Sequence, residues 1–252
     1  MAKIKKGDKV LLLCEGRKKL ALAGQGSWQS DFGVLDLKKI VGKNYDSAIE
    51  TTASHKIILA KPQFYDLLAN CKRGPAVILP KDFATIVSLT GVGRDSVCVE
   101  IGTGSGWLTA QLANVCKKVA TYEIRKDFYQ MAEKNFKFLG LKNVVAKNGN
   151  AITSMSEKEA DLVTVDLPEP WLALPSAGKA LRAGGYFVAY CPQITQAIEL
   201  VGKLGAGWQP DKVMETIQRE WKIEKQQERQ LARPEHQMLG HTAFIVVVRR
   251  AG

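Results

Sequence analysis

A chain of 252 residues with 46% hydrophobic and 24% charged side chains is long enough for one large domain, or for an ordinary domain and a small one. That apolar content excludes global disorder. No apolar run approaches the roughly 18 residues a membrane helix needs, and the opening MAKIKKGDKV has no apolar segment behind its lysines, so export is not expected. Lys and Arg number 36 against 25 Asp and Glu, a formal charge of +11. The excess is densest early: fifteen basic residues face eight acidic ones up to residue 90, and twenty-one face seventeen beyond it. Such charge either serves a polyanionic partner or coats the surface of a heat-adapted protein, and charge alone does not separate the two.

The first 70 or so residues hold short apolar pieces, KVLLLC, KLALAG, GVLDLKKIVG and KIILAKP, separated by turns such as GQGSWQSDFG and GKNYDS. This spacing predicts a small all-β module over residues 1–70. FYDLLANC reads as a helical turn or two. KRGPAVILPKDFATIVSLTGV then passes through Pro75 and Pro80 into a helix starting near Lys81, so residues 71–95 are a linker and leading helix.

From Ser96 the pattern becomes an alternation. SVCVEIG, KVATYEI, NVVAKNGNA, ADLVTVDLP and GYFVAYCP read as strands; GWLTAQLANVC, KDFYQMAEKNFKFLG, WLALPSAGKALRAGG and QITQAIELVGKLG read as helices. In the last, Ile194, Ala197, Ile198, Val201 and Leu204 share one face at helical spacing. KVMETIQREWKI and HTAFIVVVRR read as two closing strands, antiparallel neighbours. Repeated βα units imply an α/β domain over 71–252 with a mostly parallel sheet covered on both faces.

The five cysteines, Cys14, Cys71, Cys98, Cys116 and Cys191, are scattered, with no CxxC pair and no His/Cys spacing for zinc. A reduced cytoplasmic protein without a metal site is expected.

VEIGTGSGW places Gly102, Gly104 and Gly106 between a buried strand and a helix, where glycine allows a tight turn and close ligand approach to a helix N-terminus. The spacing is not the GxGxxG of dinucleotide sites: the third glycine comes a residue early and is followed by Trp107. Glu100 just before the loop would repel phosphate and suits an ammonium or sulfonium group. Glu123 closes the next strand, where an acid can accept both hydroxyls of a ribose. Acid, glycine loop, then acid is the pattern of S-adenosylmethionine enzymes. At the third strand end, Asn150 is placed to hydrogen-bond the cofactor's adenine.

The fourth strand ends in DLPEPW. Asp166 sits at the sheet edge where open α/β folds build their sites, and Pro168 and Pro170 fix the backbone that presents it. Trp171 offers either a flat face for a base or core packing. Glu169 reads as a solvent-facing acid.

Four stretches, KRGPAVILPKD, VEIGTGSG, DLPEPW and RPEHQMLGHTAFIVVVRR, together resemble the tRNA (adenine-N1)-methyltransferase family, over nearly the whole chain. The resemblance implies a Rossmann-like class I methyltransferase domain behind a small N-terminal β module, assembled as a homotetramer. It implies methyl transfer from S-adenosylmethionine to N1 of adenosine at nucleotide 58 of the tRNA T-loop, and also 57 in archaeal members. Asp166 matches the family's catalytic aspartate. Glu100, Gly102, Thr103, Gly104, Ser105, Gly106, Trp107, Glu123, Asn150 and Asp166 would surround the cofactor. Tyr190 of AYCPQITQ would line the pocket, His241 and Thr242 of GHT would line it or form a structural turn, and Arg233 would meet a phosphate. Leu79 stands where relatives carry Tyr or His, and Asn150 where an acid is commoner, although its amide oxygen can still accept from an adenine amino group. Two other readings compete: a related methyltransferase acting on a protein carboxylate or small molecule, and a silent RNA-binding subunit. The first needs no basic module or DLPEPW; the second should have lost Glu100, Glu123 and Asp166.

Overall fold

The computed structural model describes residues 2–74, 76–226 and 229–251; Pro75, the first proline of the linker, lies outside them. The chain divides into two compact units, Met1–Cys71 and Lys72–Gly252.

In the first unit, β1 (Lys9–Cys14), β2 (Arg17–Leu22), β3 (Ser27–Ser30), β4 (Gly33–Asp36), β5 (Ala48–Glu50) and β6 (Lys56–Ala60) precede a short helix α1 (Phe64–Leu68). The strands form an antiparallel sheet in the order β2-β1-β6-β5 and a separate β3-β4 hairpin. Val10 and Leu12 from β1, with Ile57 and Leu59 from β6, alternate inward to the core shared with Ile4, Leu35 and Ile40.

The second unit opens with α2 (Pro80–Thr90), where Pro80 occupies the first turn and needs no N–H partner, and Gly91 closes the helix in a left-handed conformation. Alternation follows: β7 (Val97–Ile101), α3 (Trp107–Val115), β8 (Lys118–Glu123), α4 (Lys126–Leu139), β9 (Val144–Asn148), α5 (Ala151–Ser154), β10 (Ala160–Val165), a 3-10 turn (Pro170–Ala173), α6 (Leu174–Ala180), β11 (Leu181–Cys191) and α7 (Ile194–Gly202). The end of the chain adds β12 (Trp208–Met214), β13 (Trp221–Gln226), β14 (Arg229–Pro234) and β15 (Phe244–Arg250). Seven strands make one sheet in the order β12-β15-β11-β10-β7-β8-β9. β7 through β11 are parallel, and β15 lies antiparallel to both β11 and β12. Side chains alternate across it: Val99, Ile101, Val163, Val165, Phe187 and Ala189 face one helical layer, and Cys98, Val119, Leu162, Val188, Ile245 and Val247 the other. The mostly parallel, doubly covered α/β fold expected from the alternation is the one observed.

Two expectations need correction. KVMETIQREWKI is not one strand: β12 starts earlier, at Trp208, and stops at Met214, while Trp221 opens the separate β13-β14 hairpin. Pro210 fits because β12 is an edge strand, where a missing N–H costs no ladder bond. In α7 the buried residues are Ala197 and Leu200, with Val201 and Leu204 packed beside them, whereas Ile194 and Ile198 are 45% and 65% exposed. The helix is rolled so that Ala197 and Leu200, rather than Ile194 and Ile198, face the core.

Candidate active site

The loops that follow β7, β8, β9 and β10 meet at the carboxyl edge of the parallel sheet, the place where such sheets bind ligands. The glycine loop is shaped by its neighbours. Gly102 has φ +91°, and a Cβ there would lie 2.3 Å from the Asp166 carbonyl oxygen. Only glycine lets the β7 and β10 exits approach so closely, and the Asp166 N–H donates to the Ile101 carbonyl at 2.9 Å across the same gap. Gly106, at φ +81°, is pressed against Phe136 of α4. Asn135 of α4 donates to the Ser105 carbonyl at 2.8 Å and to the Lys72 carbonyl at 2.9 Å, holding the loop from below.

Three carboxylates converge here. Glu100 is buried at the end of β7, accepting hydrogen bonds from the Thr109 and Thr121 hydroxyls. Burial pushes its carboxyl up to about 8 against those donors, and the charges of Asp166 and Glu123 add to the rise. Glu123 accepts from the Gly104 N–H at 2.8 Å and the Arg125 N–H at 2.9 Å, which fixes the carboxylate while leaving each oxygen a second lone pair. Asp166 reaches solvent at the mouth of a recess whose walls still remove much of its hydration. Burial first, and then Glu123, raises it to about 6.

Three neighbouring cavities surround this edge. The smallest is lined by Glu100, the loop from Gly102 to Ser105, Trp107 and Asp166. Ser105 Oγ and Trp107 Nε1 are buried there without a hydrogen-bond partner among the described residues. Two orphaned donors beside a carboxylate cluster are what a zwitterionic amino-acid group with an added positive charge would satisfy, so the residues fit S-adenosylmethionine. The second cavity runs between Tyr122, Glu123, Ile124, Asn150, Ile152 and Leu167, an apolar slot beside the acid suited to a ribose and its base. The third, about 310 Å³, is lined by Arg73, Leu79, Asp166, Tyr190, His241 and Thr242 together with apolar neighbours. Asp166 is thus common to the first and third cavities, at the junction where a methyl donor and its acceptor would meet.

Several sequence expectations change in detail. The Asn150 side-chain oxygen accepts the Ile152 N–H at 3.0 Å and caps α5. That bond uses one of the oxygen's two lone pairs; Asn150 lines the second cavity, and the other lone pair can still serve the adenine amino group expected there. Trp171 packs on the core and carries the Lys203 ammonium 4.3 Å from its ring centroid; it lines none of the three cavities, so it is packing and not a base platform. Arg233 lies on β14 beside His236 and Glu224 and lines none of the three cavities, which leaves its expected phosphate contact outside them. His241 does line the third cavity, with Nδ1 2.8 Å from the Glu215 carboxylate and Nε2 2.9 Å from the Pro192 carbonyl. Both partners accept hydrogen bonds, and Glu215 above all raises the pKa of the ring, which favours its protonated form. Glu169 is exposed, as expected.

Sequence reasoning missed a buried cluster behind the third cavity. Asp82 is fully buried and accepts from Lys81 at 2.7 Å, Tyr190 at 2.9 Å, Thr242 at 3.0 Å and also from Thr216. The only signal was the Lys-Asp pair after Pro80; nothing in spacing says that Asp82 meets a tyrosine 108 residues later.

A model of the family described as "tRNA methyltransferase complex GCD14 subunit" matches residues 57–238. The chain belongs to this family. A Methanocaldococcus jannaschii protein named tRNA (adenine(57)-N(1)/adenine(58)-N(1))-methyltransferase TrmI is 32% identical, over 96% of this chain and 94% of its own length. Among solved structures, tRNA (m1A58) methyltransferase TrmI from Aquifex aeolicus superposes with a TM-score of 0.82 at 29% identity, covering 100% of both chains. A Thermotoga maritima structure described as a SAM-dependent O-methyltransferase superposes at 0.86 with the same 29% identity, over 99% of this chain and 95% of its own. The resemblance to the tRNA (adenine-N1)-methyltransferase family read from the four sequence stretches is therefore confirmed. The O-methyltransferase description names a different acceptor, and the match to the tRNA methyltransferase family model over residues 57–238 outweighs it.

Proposed function

We propose that the protein transfers a methyl group from S-adenosylmethionine to N1 of adenosine in the tRNA T-loop, at nucleotide 58 and, as the name of the Methanocaldococcus relative states for that protein, also at 57. The observation that carries this reading is Asp166 at the junction of a cavity fitted to the cofactor and a second cavity open to an acceptor. Glu100, the loop Gly102–Trp107, Glu123 and Asn150 hold the cofactor, which supplies a methyl group activated on a sulfonium. Adenine N1 lies on the Watson–Crick edge, so the nucleotide has to leave its stack to enter the larger cavity. Asp166, at about 6, is ionised at neutral pH. It accepts a hydrogen bond from the 6-amino group and stabilises the positive charge that spreads over N1 and that amine as N1 is alkylated. It can then accept a proton.

The +11 charge serves the polyanionic substrate. A catalytically silent subunit is disfavoured because Glu100, Glu123 and Asp166 are present and gathered at one edge. We further propose a cytoplasmic homotetramer. β15, despite its apolar sequence, leaves no open edge for an interface, since it is paired on both sides and its Ile245–Val248 run is buried; no helix among the described residues is long and apolar enough to cross a membrane.

Incubation with methyl-labelled cofactor and an unmodified tRNA transcript, followed by nucleoside mapping, tests the activity. Label in 1-methyladenosine of the T-loop is expected. Label on protein or small molecules, with none on RNA, would favour the competing methyltransferase reading.

A further inference from the structure

The Asp82 cluster decides which way a cavity hydroxyl points. Asp82 Oδ1 is met by Lys81 Nζ at 2.7 Å and by the Thr216 hydroxyl; Oδ2 is met by the Tyr190 hydroxyl at 2.9 Å and Thr242 at 3.0 Å. Lys81 also donates to the Thr242 hydroxyl oxygen at 2.7 Å and the Thr216 hydroxyl oxygen at 3.0 Å. Burial alone would raise the Asp82 carboxyl, but Lys81, Thr216, Tyr190 and Thr242 outweigh it and hold the group below the usual carboxylate range. An ionised carboxylate only accepts. The Tyr190 proton is therefore committed to Asp82.

Tyr190 lines the acceptor cavity beside Asp166. With its proton turned away, the phenol can offer a ligand only lone-pair density, part of which faces the Thr242 hydroxyl. Resting on the function proposed above, we propose that the buried Lys81–Asp82 pair is a positioning device that makes Tyr190 a hydrogen-bond acceptor and so selects a base carrying an exocyclic amine at C6. The cavity then presents two acceptors, the Asp166 carboxylate and the Tyr190 oxygen, for the two N–H bonds of the adenine amine. A 6-oxo purine brings an acceptor to the same place and leaves it unpaired, the kind of mismatch that polar sites reject strongly.

Asp82→Asn should reverse the polarity. The Lys81 ammonium demands the amide oxygen, which turns the amide NH2 towards Tyr190 and Thr242. The Tyr190 oxygen then accepts, and its proton rotates into the cavity, where it suits the O6 of inosine. Methylation of inosine breaks the N1–H bond, whose proton passes to Asp166, and forms the N1–methyl bond as the sulfur–methyl bond of the cofactor breaks, leaving a neutral thioether. Tyr190→Phe removes the hydroxyl without offering a donor.

The test uses the full-length protein and tRNA carrying adenosine, inosine or purine riboside at the target nucleotide, with methylation measured in single turnover. Cofactor affinity and thermal unfolding are measured on each variant as checks of the fold. In D82N the adenosine-to-inosine rate ratio is expected to fall about tenfold or more, on the scale of one buried hydrogen bond. In Y190F the preference for adenosine over purine riboside should shrink by about tenfold with no gain on inosine. A D82N protein that binds cofactor normally and keeps the wild-type ratio overturns the proposal. If D82N fails to fold, an unchanged adenosine preference in Y190F overturns it. A wild-type enzyme that methylates no adenosine in tRNA refutes the underlying function, and this proposal falls with it.

Discussion

Replacing Glu100 with Gln isolates the strain that three clustered carboxylates impose on the apo site. In the fold the Glu100 carboxyl is pushed up to about 8 by burial, against 4.5 for the unreacted side chain. Between those values the folded protein binds a proton that the unfolded chain has released. Stability contributed by this group is fully present below 4.5 and is lost as pH rises through 8. Asp166, raised from 3.8 to about 6 by burial and Glu123, has the same sign but finishes titrating earlier, so comparison above pH 6.5 separates the two. From pH 6.5 to about 8 the loss accrues at 1.36 kcal/mol per pH unit, giving roughly 2 kcal/mol in the wild type. Glu100→Gln keeps an oxygen for the Thr109 and Thr121 hydroxyls and does not titrate. The assay is urea unfolding from pH 6.5 to 9, followed by the fluorescence of Trp107, Trp171, Trp208 and Trp221, all in the second unit. The stability difference between variant and wild type should grow by about 2 kcal/mol in favour of the variant over this range. Parallel curves would refute the placement of a protonated, buried Glu100. The same argument has the wild type releasing protons as it takes up cofactor near pH 7, because a cation beside Glu100 favours its ionised form; calorimetry in buffers of different ionisation enthalpy reads this directly.

Asp166→Ala should lower the rate of methyl transfer by about 10²- to 10⁴-fold with cofactor affinity largely kept. In the wild type, kcat/KM should rise with pH through about 6 as the carboxylate forms; undiminished turnover in the variant would sink the catalytic role. Gly102→Ala puts a Cβ 2.3 Å from the Asp166 carbonyl oxygen at φ +91°, so we expect destabilisation above roughly 2 kcal/mol in chemical denaturation. Ser105→Ala removes a hydroxyl that has no protein partner. Its apo stability should hold within about 0.5 kcal/mol while cofactor Kd rises about five- to tenfold in calorimetry.

The alternation of apolar runs from Ser96 onward carried the parallel sheet, because strands buried on both faces leave continuous Val, Ile and Leu stretches that helices interrupt. The acids at the strand ends were legible for the same reason: a residue just past such a run must fall at the sheet's carboxyl edge. The hairpin Trp221–Pro234 was not legible, since its strands bury little apolar surface; Trp221, Ile223 and Leu231 are all exposed. The roll of α7 escaped too, because Ala197 and Ile198 are equally apolar in a pattern and only packing against the sheet chooses between them. That Asn150 also caps α5 was not legible, because its bond to Ile152 depends on where the helix begins.

By itself, then, the sequence determined which residues reach the site's edge: local periodicity sets strand and helix, and strand ends set the position of Glu100, Glu123 and Asp166. Only the tertiary structure decided what those residues experience. Burial and mutual repulsion raise Glu100 and Asp166, and the meeting of Asp82 with Tyr190, Thr216 and Thr242 joins positions up to 160 residues apart. Hydration and hydrogen-bond direction are properties of three-dimensional neighbours, and no spacing along the chain encodes them.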